Sequence, residues 1–358
     1  MMRFRAVLRE VWRDVVSGTA RTAFLASVMS LLGLSLIVAD VSVVRALVDE
    51  GERFRDARGS VLTIAAEGRI DGQACDSLVE IDGVAHAGAL REGDSFAAAS
   101  LPGTPFDVYE VSGGLRAILL SSPVEPSGLV IARDIADTLG LVQGGRLATT
   151  AGEAPIAGIF ESPPDGRRSG FGWALLETVD SSKPFDECWI DVWPTDARLA
   201  ALLPLAMAPG SDLADEPPQL SQLNASLGRE FAGAARFESR LTALAPVVAL
   251  VAGAVVATLA VRRRRIELAS HLHAGVTRRD MTLVMGIEAA VWGVAATLLT
   301  ASAGVIAAHT MSSDDRAAIV VLSARIAVAL FGGVIGGTLA ASATIRERHL
   351  FAYFKDRT

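Results

Sequence analysis

Cysteine and lysine are scarce in this chain. Its 358 residues hold two cysteines, Cys75 and Cys188, and of 33 basic residues only Lys183 and Lys355 are lysine. Two cysteines exclude a disulfide-dense scaffold and a multi-zinc framework. No G-x-x-x-x-G-K-[ST] occurs, so no Walker A loop holds ATP phosphates, and H-E-x-x-H is missing too. His271 and His273 stand two residues apart and do not share a helical face as i,i+4 metal ligands would. No Ser/His/Asp set stands out, and Gly113-Gly114 and Gly144-Gly145 read as turns. Charge is thin, at 20% of residues against 51% apolar, with mean hydropathy +0.40. A soluble domain carries about 25% charge. A disordered chain and a uniformly basic nucleic-acid binder are both excluded.

The charge that is present is segregated. Residues 48–240 hold 15 basic and 30 acidic residues, whereas segments 1–22, 262–280 and 346–358 together hold 15 basic and 6 acidic ones. Four apolar stretches reach the roughly 20 residues that cross a 30 Å hydrocarbon core. They are 22–47, 241–261, 281–308 (interrupted by Glu288) and 317–345 (interrupted by Arg325). The first is longer than a signal-peptide core and has no clear cleavage site, so it reads as an uncleaved anchor. Lys and Arg near span ends set orientation. Arg3, Arg5, Arg9, Arg13 and Arg21 precede span one, Arg262–Arg265, Arg278 and Arg279 follow span two, and Arg346, Arg348, Lys355 and Arg357 follow span four. Alternation puts all three clusters, and both termini, in the cytoplasm. The expected fold is a membrane protein with four transmembrane α-helices and a large α+β extracytoplasmic domain between helices 1 and 2.

Residues 1–21 place Phe4, Val7, Leu8, Val11, Trp12 and Val15 at helical spacing beside Arg5, Arg9 and Arg13, an amphipathic lead-in suited to the inner membrane surface. The outer domain, 48–219, alternates strand and helix signals. SVLTIAAEG, GWALLETV and ECWIDVWP read as strands, GLVIARDIADTLGL as a strand entering a helix, RLATTAGEAPIAGIF as two strands about a turn, and QACDSLVEIDGV and TDARLAALLPLAM as helices. From Leu220, the spacing of Leu223, Leu227, Phe231, Ala234 and Leu241 predicts a helical stalk running into span two, over 220–261. A cytoplasmic segment 262–280, an outer loop 309–316 and a tail 346–358 complete the plan.

One span, an outer domain, then three spans around a basic loop resembles the FtsX/MacB-type ABC transporter permeases. Residues 9–44 resemble the family's lead-in helix and first span, with Arg21-Thr22-Ala23. Residues 128–160 resemble part of its outer domain, including the L-G-L-x-x-G at 139–144. Residues 262–304 resemble its most recognisable stretch: Glu267-Leu268, Gly275-Val276-Thr277, Arg278-Arg279-Asp280 and Glu288. His271, Leu272 and His273 depart from the pattern. The resemblance implies a permease subunit of the mechanotransmission type in a bacterial cytoplasmic membrane. It would have no cofactor and no enzymatic activity of its own. ATP and Mg would sit in a separate cytoplasmic ATPase docked on Glu267, Leu268, Gly275, Thr277, Arg278, Arg279 and Asp280. It also implies a homodimer or a sister permease, working in export or efflux. The alternatives are a signalling scaffold that activates an extracytoplasmic cell-wall hydrolase without transport, and a membrane-anchored receptor unrelated to ATPases.

Three further expectations concern single residues. Cys75 and Cys188 both lie in the segment placed outside, where oxidation is permitted, and a disulfide is expected over two separate buried thiols. Glu288 and Arg325 lie roughly 10 Å and 15 Å from opposite membrane faces at 1.5 Å per residue, so antiparallel helices would pair them, against snorkelling or protonation as separate fates. Gly332, Gly333, Gly336 and Gly337 form two overlapping G-x-x-x-G patterns that permit close helix approach.

Overall fold

A computed structural model describes residues 4–18, 20–120, 127–150, 152–180, 182–210 and 217–346. Two compact units are present, Met1–Val48 with Ala234–Thr358, and Asp49–Gly233.

The first unit begins with α1 (Phe4–Val16) and α2 (Thr22–Asp56), whose last turns belong to the second unit. Helix α1 buries Val7 and Val11 and exposes Leu8, Trp12 and Val16 one turn apart, so its apolar side is divided between packing and surface.

The second unit is built on a mixed sheet. Its elements are β1 (Val61–Ile70), α3 (Gly72–Ser77), β2 (Val84–Glu92), β3 (Phe96–Ala97), β4 (Pro105–Val111), α4 (Leu115–Leu119), β5 (Leu129–Ala132), α5 (Arg133–Leu139), β6 (Arg146–Thr149), β7 (Gly152–Phe160), β8 (Ala174–Thr178), β9 (Phe185–Val192), α6 (Ala197–Ala200) and β10 (Gln219–Gln222). Strand order is β10-β1-β9-β2-β4-β8-β5-β7-β6, with β3 on β4. Pairing is antiparallel except β4 with β8 and β5 with β7. Asp71 starts α3 by accepting from the Gln73 and Ala74 amides, and Gly140, at φ 64, ends α5 where a side chain would be strained. Strand β9 runs through the middle of the sheet and is almost wholly buried, with Trp189, Phe185 and Cys188 fully enclosed. Cys188 is bonded to Cys75 of α3, 113 residues away, as the outer placement of both cysteines predicts.

The stalk expected over 220–261 is corrected here. Leu220 to Gln222 form the edge strand β10, paired antiparallel with Leu62–Ile64, and Leu223 is buried in the core of the sheet domain. Helix resumes only at α7 (Gly233–Ser239). The leucine spacing that reads as helical is an edge strand followed by a core residue.

Then follow α8 (Ala245–Arg263), α9 (Arg265–His273), α10 (Arg278–His309) and α11 (Ser313–Thr344). Helices α2, α8 with its preceding turn, α10 and α11 are long and apolar enough to cross a membrane. Their buried positions mix small and large residues: Met29, Ile37, Trp292, Ile326 and Leu330 are buried in α2, α10 and α11. In α8, Ala245, Ala249, Gly253, Ala257 and Val261 are buried while Val247, Val251, Val255 and Leu259 face outward. Small residues on the buried side of α8 let neighbouring helices approach closely.

Candidate functional site

Glycine contacts set the direction of each long helix. A Cβ on Gly33 of α2 would lie 2.4 Å from Thr300 of α10, and one on Gly304 would come 3.8 Å from Ile37, so α2 and α10 run parallel. Gly333 and Gly337 of α11 meet the backbone of Leu250 and Ala254, so α8 and α11 also run parallel. Gly304 meets Ser323 and Gly293 meets Phe331 and Val334, which makes α10 and α11 antiparallel. The starts of α2 and α10 and the ends of α8 and α11 therefore share one end of the unit. That end carries Arg21, Arg262–Arg265, Arg278, Arg279 and Arg346.

At this end Arg264, between α8 and α9, joins three elements. Its Nη1 donates to Glu288 Oε2 of α10 at 2.5 Å, and its Nη2 to Asp14 Oδ2 of α1 at 3.0 Å. Its Nε and Nη2 also grip Glu267 of α9, at 3.0 and 2.7 Å. The guanidinium supplies the fork geometry that such multiple carboxylate pairing requires. Arg264, Asp14 and Glu288 are all largely buried, at 14%, 13% and 6% side-chain exposure.

Helix α9 is closed by a stop and a start. The Val276 amide donates to His271 O and the Gly275 amide to Leu272 O, a Schellman turn with Gly275 at φ 91. Thr277 then caps α10, accepting from the Asp280 amide at 3.2 Å while its hydroxyl donates to the Asp280 carboxylate at 2.8 Å. Leu268, Ala269 and Leu272 pack with Val261, Met281, Met285, Ala341 and Ile345.

The residues expected to dock an ATPase thus divide. Gly275, Thr277, Arg278 and Arg279 are exposed, whereas Leu268 and Asp280 are buried and Glu267 is held by Arg264. The exposed side of α9 is Ser270, His271, His273 and the following Ala274.

The pairing of Glu288 with Arg325 is corrected. Glu288 and Thr338 line the same small cavity, and Arg325 stands thirteen residues before Thr338 on α11, roughly 20 Å away along the axis, exposed. Depths counted from one residue at each span end misplace the pair, because α10 and α11 are 32 residues each, longer than a membrane core needs. The glycine expectation divides also. Cβ atoms on Gly333 and Gly337 would collide with α8 backbone oxygens at 2.0 and 2.4 Å, while Gly336 has nothing within 4 Å and Gly332 only the tip of Leu250 at 3.7 Å.

Sequence reasoning missed Arg264, hidden in a run of four arginines, and its partner Asp14. It also missed a buried pair at the opposite end, where Arg240, just before α8, donates from Nε to Asp40 Oδ1 of α2 at 3.1 Å. The signals available were an acid within a basic lead-in helix and an Asp inside an apolar run.

No family model matches the chain, and no curated protein matches it. Among solved structures, it is similar to the periplasmic region of MacB from Actinobacillus actinomycetemcomitans, with 7% identity and TM-score 0.35 over 49% of this chain and 94% of that one. It is also similar to a domain of a permease protein from Porphyromonas gingivalis, with 13% identity and TM-score 0.31 over 47% of this chain and 92% of that one.

Proposed function

We propose that the chain is the permease subunit of an ABC transporter of the mechanotransmission type. The basic end faces the cytoplasm, the sheet domain lies outside, and a separate ATPase docks on α9 and the first turn of α10. The observation that carries this reading is the Arg264 junction. A short cytoplasmic helix is tied through one guanidinium to the lead-in helix before span one and to span three, so a push on α9 reaches both. The resemblance of residues 9–44, 128–160 and 262–304 to the FtsX/MacB-type permeases supports it. Spans one and two are the two connections to the sheet domain, so their movement is the route by which ATP hydrolysis rearranges it, for export or efflux. Purification of the native complex tests the reading: a co-purifying protein with a Walker A loop is expected, and its consistent absence from an otherwise intact complex contradicts the assignment.

A further inference from the structure

At the basic end, α2 and α8 leave a groove of about 580 Å³ between them. That size falls within the roughly 300–1,000 Å³ of small-molecule sites. The groove is graded along its length. Arg21 and Arg263 stand at the helix ends, Phe24 and Leu259 follow one turn in, and Val28 and Val256 lie deeper. From Arg263 to Val256 is seven residues, about 10 Å of helix. Neither Arg21 nor Arg263 has an ion-pair partner among the described residues, and both are exposed. Arg264 also lines the groove, but its guanidinium is engaged by Asp14, Glu267 and Glu288. Phe24 and Leu259 are 59% and 53% exposed, an apolar wall with no protein against it. Arg21 also holds a left-handed backbone, φ 47, a strained conformation for a side-chain-bearing residue.

We propose that this groove binds one anionic phospholipid of the inner leaflet. The phosphate would sit between the Arg21 and Arg263 guanidiniums and the upper acyl chain along Phe24, Val28, Val256 and Leu259. The order of charge and apolar surface with depth matches that of a phospholipid, and two free guanidiniums complement its phosphate. A lipid there wedges spans one and two beside the Arg264 junction. The inference rests on reading these helices as spans, and it does not depend on ATPase docking.

Native mass spectrometry of the full chain in mild detergent tests it, with phosphatidylglycerol and phosphatidylcholine added in turn. One phosphatidylglycerol should be retained in preference to phosphatidylcholine, by roughly tenfold or more in concentration. R21Q/R263Q should abolish the preference, while R198Q, at an exposed site in the sheet domain, should keep it. Should the arginine variant fail to fold, Val256→Trp, which fills the groove with both arginines present, should expel the lipid. Equal retention of the two lipids, an unchanged preference in R21Q/R263Q, displacement by millimolar inorganic phosphate, or a lipid-free dimer occupying the groove would each overturn the proposal. Alkaline carbonate extraction of the source membranes leaves a spanning chain in the pellet, which separates failure of the lipid site from failure of the spanning reading.

Discussion

Arg264 sets one guanidinium against three carboxylates in a mostly buried setting. Breaking a buried pair by removing one partner costs about 3–5 kcal/mol, because the remaining charge is left uncompensated. Arg264→Met should therefore destabilise the full chain by about that much, and adding Glu288→Gln should recover a large part. Arg325→Met, at an exposed position far from Glu288, should show no such coupling to it. Thermal melts in detergent check this, and additive losses in R264M, E288Q and the double variant would refute the coupling. In the sheet domain, Asp76 behaves differently. Burial raises its pKa, against hydrogen bonds from Ser112 Oγ, at 2.5 Å, and the Gly114 backbone. A carboxyl whose folded pKa is raised contributes stability fully present below the unfolded value near 4 and lost as pH rises through the folded value. Asp76→Asn keeps the acceptor for Ser112 and removes the titration. Its melting temperature should gain on the parent as pH rises from 4 to 7, and a constant difference across that range would contradict the account. Neither residue stands out in sequence. Arg264 is one of four adjacent arginines, for which membrane anchoring is a sufficient explanation, and only folding sets its guanidinium among Asp14, Glu267 and Glu288.

Among elements, α8 and α11 approach so closely that backbone meets backbone. Gly333→Leu and Gly337→Leu must part the helices, since the added Cβ would lie 2.0 and 2.4 Å from carbonyl oxygens that cannot yield. Overpacking typically costs about 1–3 kcal/mol, and more where backbone must shift. Gly336→Leu, facing open space, should be within about 0.5 kcal/mol of the parent. Detergent melts of the three variants measure the contrast, and equal losses would reject the interface. The four long apolar helices were legible because length and apolar composition can be read directly along the chain. Which glycines pack was not, because two overlapping four-residue repeats on one helix point to different faces. The stretch from Leu220 to Leu227 was misread because apolar residues three and four apart fit a helix and also fit an edge strand followed by a core residue, and long-range pairing with β1 decides.

For the whole molecule, the plan of the chain supports the functional reading. The sheet domain is an insertion between α2 and α8, so both of its connections are helices that span the membrane in this reading. The buried Asp40–Arg240 pair joins those helices at one end and the Arg264 junction gathers α1, α9 and α10 at the other. Arg240→Gln would leave Asp40 buried without its cation. It should lower the melting temperature of the full chain, and Asp40→Asn in the same chain should restore part of it; no restoration would show that the pair does not hold α2 to α8. The order of long apolar helices and basic clusters was readable from sequence, whereas the two pairs were not, since each joins residues about 200 or more positions apart.

The central claim is that α9 receives an ATPase, and substitution at Gly275 tests it poorly, since φ 91 strains any side chain there and would disturb the turn itself. Photo-crosslinking from the exposed side of α9 is more direct. A photoreactive residue placed at Ser270, His271 or Ala274 in the full chain, in its native membrane, leaves the Schellman turn and the Arg264 junction intact. The account predicts an adduct with a cytoplasmic protein bearing a Walker A loop, and none from Val247 or Val251 on the apolar surface of α8. Absence of such an adduct from all three positions, in cells where the chain is inserted and folded, would contradict it.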